Sequence, residues 1–257
     1  MAHSVPVAAK NLGDDLYMAI CARMDDGSYV YSDATWYSAK HYANDILANS
    51  QDDEMKALVV SMLNYGAEAQ KYFGYKTDSL MNADITAEQQ ALVAQYAESM
   101  IAGIKQPDPE QFSEITYTGG FSGGYPSVSF EGRLYINYYF APTKPVEDEM
   151  VLYVWDKETY EKNDTLIFHN AMPYSMTNNE SSDWYIGQMM NCAPKNFNDT
   201  IYACAKYTSG GIDYNTPVIA YSAATYLKER IDANSPMKDL AIATVLYGYH
   251  ADAYFNK

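Results

Sequence analysis

The chain has 257 residues, of which 48% are hydrophobic, and a formal net charge of −16 at pH 7. This length is sufficient for one large domain or two ordinary ones with buried cores. The negative charge argues against nucleic acid and anionic membrane surfaces as partners, since both require a basic face. Its ordinary role is solubility, and the 26 tyrosines suit small cores as well as contact surfaces.

The sequence repeats itself at a spacing of about 185 residues, and a repeat has to be interpreted before other features because it determines the architecture. The first copy contains KNLGDDLY, WYSAKHY and MKALVVSMLNYGAEAQKYF, and the second contains KNFNDTIY, AYSAATY and MKDLAIATVLYGYHADAYF. The matched positions include Lys10/Lys195, Asn11/Asn196, Asp14/Asp199, Tyr17/Tyr202, Tyr37/Tyr221, Ser38/Ser222, Tyr65/Tyr247 and Gly66/Gly248.

The repeated segment begins with a predicted β-hairpin over residues 12–32, where the strand-like LYMAICARM and SYVYS flank the turn Asp25-Asp26-Gly27. Helical spacing of apolar residues predicts one helix over 36–49 and another over 53–73. Asp52 is a suitable N-cap for the second helix and Gly74 a suitable C-terminal stop. We therefore expect an antiparallel helical hairpin packed on a β-hairpin.

A third helix is predicted over residues 86–104, because Thr86 and Gln89 have capping-box spacing. The Pro-containing segment 105–109 then reads as a linker. Glycine at both Gly66 and Gly248, inside helices, costs about 1 kcal/mol relative to alanine. This cost indicates the close approach of a neighbouring element.

From about residue 112 to 192 the pattern changes to short strands separated by Gly, Pro, Asn and Asp, which predicts an antiparallel sandwich. The second copy's hairpin, over 197–214, should extend this sheet, with the last two helices on one face or end. The predicted fold class is α+β with tandem modules. The first module spans 1–105 and lacks its sandwich, while 106–257 is a complete module.

The sequence enters the repeated element directly after MAHSVPV, without a signal peptide and without an apolar run long enough to span a bilayer. We expect it to be a fragment of a larger protein. Its three cysteines, Cys21, Cys192 and Cys204, have no metal-ligand spacing and do not match between the copies. An odd number leaves at least one thiol free or paired with another molecule.

Motifs for catalysis are missing from the sequence. It contains no nucleophile elbow, P-loop, dinucleotide fingerprint or zinc spacing, and its acidic clusters lack the ligand pattern of a calcium loop. No pair of carboxylates is singled out for glycoside hydrolysis. We therefore predict that the chain is not an enzyme and that it needs no cofactor or metal.

Aromatic residues concentrate in the sandwich segment and have no counterpart in the first copy. We assign Trp155 and Phe168 to the core because they lie inside strand patterns. The candidates for a contact surface lie beside polar residues, since exposed aromatics dominate binding hot spots. They are Tyr160, Tyr174, Trp184 and Tyr185.

The two long helices differ at three matched positions. Asn64, Ala67 and Glu68 of the first copy correspond to Leu246, Tyr249 and His250 of the second. One explanation is that one copy was recruited for contact, which makes Tyr249 and His250 candidate ligand-binding residues. The other explanation is drift, or packing against a different neighbour.

The phrases YSAKHYANDIL, KALVVSMLNYGAEAQKYFGYKTD and ITAEQQALV resemble a repeated module of surface proteins from gut-dwelling clostridia. The resemblance covers about residues 8–95. The second copy departs from the pattern at Leu246, Tyr249 and His250. The chain is also similar to superantigen-like immunoglobulin-binding surface proteins of gut commensals.

This resemblance implies a non-catalytic adhesin fragment that is secreted or attached to the bacterial surface. Its implied partner is a host protein, with the immunoglobulin heavy-chain variable domain as the best candidate. A carbohydrate-binding module of a polysaccharide-degrading system and a structural spacer are the alternatives, the first because Trp184-Tyr185 lies near Asn178-Asn179. Immunoglobulin or glycan is thus the expected ligand, with no nucleic acid and no membrane insertion of this segment.

Overall fold

A computed structural model describes residues 7–108, 115, 117–130, 134–156, 172–178, 183–189 and 192–256 of the chain. Over these residues the fold is α+β, with antiparallel sheets, as the sequence predicts. Contacts divide the chain into two compact units. The helical unit comprises Met1–Tyr96 with Pro236–Lys257, and the sandwich unit comprises Ala97–Ser235.

The strands in chain order are β1 (Leu16–Met18), β2 (Cys21–Arg23), β3 (Tyr29–Tyr31), β4 (Thr35–Tyr37), β5 (Phe121–Ser129), β6 (Tyr135–Pro142), β7 (Val151–Asp156), β8 (Met172–Ser175), β9 (Thr177–Asn178), β10 (Tyr185–Met189), β11 (Ile201–Ser209), β12 (Ile212–Asn215) and β13 (Ile219–Tyr221). The helices are α1 (Ala39–Asn49), α2 (Asp53–Phe73), α3 (Ala87–Gln90), α4 (Ser99–Ala102), α5 (Ala223–Asp232) and α6 (Lys238–Phe255).

The predicted N-terminal hairpin is present as two short antiparallel pairs, β1 with β4 and β2 with β3. The turn is at the predicted Asp25-Asp26-Gly27, where Gly27 has φ of +85°, a conformation that favours glycine. The Asp26 carboxylate accepts hydrogen bonds from the backbone N–H and the hydroxyl of Ser28. These local bonds hold the turn closed.

Side-chain caps determine where the helices of the first copy begin and end. The Ser38 hydroxyl accepts the N–H of His41 at the start of α1. The Asp52 carboxylate accepts two N–H groups at the start of α2, and Gly74 ends that helix in the left-handed conformation with φ of +61°. The predicted bounds of α2, 53–73, are confirmed.

Helix α2 packs against α6, its counterpart in the second copy, inside the helical unit. The matched residues Tyr65 and Tyr247 stack, with ring centroids 5.5 Å apart and planes 22° apart. A Cβ atom on Gly66 would lie 3.0 Å from Met81 Cγ, so the predicted close approach is confirmed there. Each long helix therefore uses the other copy as its packing partner.

The predicted helix over 86–104 is wrong in extent. The capping box of Thr86 and Gln89 forms, but α3 ends at Gln90, and α4 covers only Ser99–Ala102. The N–H of Ala94 donates to Nε2 of His250, 3.1 Å away, instead of to the carbonyl one helical turn before it. A long-range hydrogen bond thus replaces continuation of the helix.

The sandwich unit contains two antiparallel sheets. One has the order β5-β6-β10-β9 and the other β12-β11-β7-β8, with β13 also paired to β11. A Cβ atom on Gly187 of the first sheet would lie 2.8 Å from Leu152 of the second, so the sheets pack face to face. As predicted, the second copy's hairpin extends the sheet, since β11 lies between β7 and β12.

The compact units differ from the modules predicted at 1–105 and 106–257. Helix α5 contacts β5 within the sandwich unit, whereas α6 belongs to the helical unit. The module boundary follows the repeat in the sequence, and the units follow packing. The strand predicted at TLIFHNA, residues 165–171, lies outside the described residues.

Candidate functional site

Three aromatic side chains meet on the outer side of the four-stranded sheet, and we call them the aromatic face. They are Tyr125 of β5, Tyr139 of β6 and Trp184 immediately before β10. Tyr125 and Tyr139 are ladder partners whose rings stack with centroids 4.9 Å apart. The ring of Trp184 meets Tyr125 at 5.5 Å and 63°.

Strand alternation explains why these rings face outward. In β6, Ile136, Tyr138 and Phe140 are buried between the sheets, so their neighbour Tyr139 lies on the opposite face. Tyr125 pairs with Tyr139 and therefore shares that face. It is 50% exposed. The aromatic face is thus a product of register, not of the spacing of aromatics along the chain.

A pair of amides lies on the same face of the sheet. The side chain of Gln188 donates from Nε2 to Oδ1 of Asn137, 2.9 Å away. Asn137 is buried and Gln188 is exposed, so the hydrogen bond between them runs from a buried amide to an amide in contact with solvent. Burial raises the pKa of Tyr139, and the phenol of Tyr125 beside it adds to this effect. Tyr139 therefore stays a neutral hydrogen-bonding group at physiological pH.

The rings of the aromatic face present both faces and edges. One face of Tyr125 is covered by Tyr139, and Trp184 stands at 63° to it, so the three rings do not lie in one plane. A sugar ring packs on an open, flat aromatic face. Tyrosine and tryptophan are enriched in the hot spots of protein–protein interfaces.

Of the predicted contact residues in the sandwich, Trp184 is part of the aromatic face. Tyr185 is not, because it pairs with the buried Phe140 and so lies on the inner side of the same sheet. Tyr174 pairs with Leu152 in the ladder between β8 and β7. Tyr160 lies outside the described residues. Trp155, assigned to the core, is 4% exposed and stacks on Tyr202.

The two predicted contact residues of α6 have opposite environments. Tyr249 is 51% exposed, so its prediction as a contact residue stands as a prediction. His250 is buried, and its Nε2 accepts the N–H of Ala94, which makes it a structural residue and corrects its assignment to a contact surface. Desolvation lowers the pKa of His250. The ring of Tyr249 covers it edge to face at 5.2 Å.

Three of the other divergent positions, Asn64, Glu68 and Leu246, line a cleft of about 400 Å³ in the helical unit. Asn64 donates to Gln90 and accepts from Asn82, and Leu246 of α6 lies on the same cleft. Ala67, in contrast, is fully buried. The amides of the cleft bond to each other and Ala67 has no exposed surface, so positions 64 and 67 take part in packing within the helical unit.

All three cysteines have free thiols, with Cys21 exposed and the other two buried. Burial raises the pKa of Cys192 to about 12 and that of Cys204 to about 11. Within the described residues, no three His, Cys, Asp or Glu side chains are arranged to hold a metal ion. In the same part of the chain, no helix is long and apolar enough to cross a membrane.

Sequence reasoning missed Tyr125 and Tyr139 as surface residues. The signal in the sequence was weak, because Asn137 is the only plainly polar residue of YINYYF and tyrosine suits either face of a strand. Alternation divides a strand into two faces without saying which of them is outside. Only the pairing with β5 and β10 identifies the outer side.

Comparisons with known proteins give few matches. No family model and no curated protein matches the chain. Among solved structures, the crystal structure of a Br derivative of BhCBM56 is similar, with 16% identity and a TM-score of 0.27 over 40% of this chain and 99% of that one. A likeness at this score carries no argument about function.

Proposed function

We propose that the chain is a non-catalytic binding segment of a bacterial surface protein and that its ligand is a host protein. The immunoglobulin heavy-chain variable domain is the first candidate. The resemblance described above supports this class of ligand. The observation that carries the choice of surface is the cluster of Tyr125, Tyr139 and Trp184 on the outer side of a sheet.

The shape and composition of this cluster support a protein partner. Rigid aromatics lose little side-chain entropy on binding and bury a large area, so they supply most of the energy in a typical interface. An interface of ordinary size covers about 800 Å² on each partner. The sheet around the rings, including the exposed Gln188, would supply the remaining contacts.

Binding of human Fab fragments to the full chain tests this proposal. We expect capture of Fab but not Fc, and we expect Tyr125→Ala and Trp184→Ala each to weaken the affinity about tenfold or more, the loss typical of a hot spot. Tyr72→Ala is the matched control, because Tyr72 is an exposed tyrosine in the helical unit, 43% accessible. Titration by biolayer interferometry gives the dissociation constants.

The outcomes separate the candidate functions. Fab capture that neither substitution weakens would show that the surface is wrong. A glycan array run beside it tests the carbohydrate alternative, and glycan binding without Fab capture would replace the host protein as ligand. Silence in both assays would favour the spacer. Circular dichroism of each variant checks that the sandwich is intact.

A further inference from the structure

The first copy's hairpin carries an unusually large exposed apolar surface. We call strands β1–β4, residues 16–37, the N-terminal ribbon. Tyr17, Ile20 and Tyr31 are 72%, 76% and 66% exposed. Monomeric proteins rarely expose contiguous apolar patches larger than roughly a few hundred Å², and such patches mark contact sites. The other exposed members are Met18, Met24, Tyr29, Val30, Trp36 and Tyr37.

The second copy shows the same segment with its partner present. Tyr17 and Ile20 align with Tyr202 and Ala205, which are 6% and 0% exposed. There, β7 pairs with β11 along all of Ile201–Lys206. Among the described residues, β1 and β2 pair only with β4 and β3, and their other edge has no strand. In the part of the chain that the structure describes, the hairpin of the second copy therefore has a partner strand, β7, that the hairpin of the first copy lacks.

The backbone geometry of the two hairpins agrees in detail. The N–H of Ile20 donates to the hydroxyl of Ser32, 2.9 Å away, and the N–H of Ser32 returns to the Ile20 carbonyl. In the second copy, Ala205 and Thr216 exchange the same two bonds at 3.0 Å. The ribbon is therefore already shaped like the strand that accepts β7.

Hydrogen bonds identify which backbone groups face the open edge. Ile20 bonds to Ser32, and Met24 bonds to Ser28, so alternate residues from 20 to 24 point towards β3. In an antiparallel pair the residues between them point the other way. The N–H of Cys21 therefore faces the open edge. Cys21 aligns with Lys206, which pairs with Val151 of β7.

We propose that the open edge of the N-terminal ribbon accepts, by antiparallel strand addition, an apolar strand of the β7 type from a β-sandwich module of the same kind. The second copy supports this occupant because it holds such a strand in the matching register. The strand must be apolar on both faces, as β7 is, where Leu152, Val154 and Trp155 are all buried. Main-chain bonds would supply affinity, and side-chain pockets would supply selectivity.

The probe is a labelled peptide with the sequence EMVLYVWDK, residues 149–157, titrated into the full chain. We expect saturable binding, with hydrogen-exchange protection appearing over residues 16–23. Cys21→Pro removes the N–H at the open edge, where proline is tolerated, and should weaken binding at least tenfold. Cys21→Ser keeps that N–H and should bind as the parent does.

Three results would overturn the proposal. The first is equal binding by Cys21→Pro and Cys21→Ser, with both variants retaining the melting temperature of the parent. The second is equal binding of a control peptide with proline in place of Tyr153. The third is a chain that is a dimer in light scattering, that Cys21→Pro makes monomeric, and that does not bind the peptide. This result would assign the open edge to a second copy of the chain.

Discussion

A single histidine connects the end of α6 to the segment that follows α3. His250 is buried and accepts the Ala94 N–H, which is possible only while Nε2 is unprotonated. Desolvation holds the pKa of His250 below its usual value. The unfolded chain has no such constraint, so it binds the proton more readily than the folded chain does.

We expect the free energy of unfolding of the helical unit to fall as the pH falls through about 6.5, the ordinary pKa of histidine. The His250 contribution is fully present above that value, where both states are neutral. His250→Gln keeps an acceptor for Ala94 without a titrating group, so its melting temperature should vary less between pH 8 and pH 5. Equal pH profiles for the parent and the variant would refute this assignment.

At the residue scale, the sequence predicted local hydrogen bonding better than exposure. Asp52 caps the start of α2 and Gly74 ends it, as predicted, because a helix cap depends only on neighbours along the chain. His250 is predicted on a contact surface because it differs from Glu68 at the matched position, and its hydrogen-bond partner, Ala94, lies 156 residues away in the sequence. One sequence alone contains no direct signal that two residues so far apart along the chain are in contact in the fold.

At the scale of elements, matched serines in the two copies, Ser38 and Ser222, cap the start of the first helix of each copy. Ser38 accepts the N–H of His41, and Ser222 accepts that of Thr225, both at 3.1 Å. Ser222 also shares a hydrogen bond with the Thr225 hydroxyl at 2.8 Å. Both serines are buried, so water cannot replace the hydroxyl if it is removed.

Ser38→Ala and Ser222→Ala should each lower the free energy of unfolding by about 1 kcal/mol, the usual value of an N-cap, with the larger loss for Ser222→Ala. Urea denaturation followed by circular dichroism measures both. Ser38→Thr and Ser222→Thr are matched controls that keep the capping oxygen. A Ser222→Ala protein as stable as the parent would show that the cap is not needed.

Strands were predicted with less detail than helices. The pattern indicated the sandwich and the sheet extension by β11, because alternation and turn residues are local. It did not reveal that Tyr185 lies on the inner side of its sheet while Trp184 lies on the outer side. The register with Phe140 decides this, and register depends on a strand from elsewhere in the chain.

At the scale of the whole molecule, the helical unit is built from two separate parts of the chain. Residues 97–235 lie between α3 and α6, yet α6 packs on α2. The repeat in the sequence predicted that α6 would complete the second module. An amphipathic helix specifies that it needs an apolar partner, but not which of two similar partners it takes.

A chain that stops after Ser235 tests this division. Without α6, Tyr65 of α2 loses its stacking partner Tyr247, so the amides of α2 should exchange much faster while those of β6 and β11 stay protected. Hydrogen exchange with mass spectrometry measures each segment. A chain that stops after Ala251 keeps most of α6 and is the control. Equal protection of α2 in both chains would contradict the packing described here.

The discontinuous helical unit also imposes an order on folding during synthesis. Residues 97–235 emerge, and can form the sandwich, before α6 exists to cover α2. Closing a loop of that length costs entropy, which slows the final docking. Until then the newly made chain exposes the side of α2 around Tyr65 that α6 covers. Residues before Tyr96 therefore leave the ribosome before residues 97–235 but complete their packing after them.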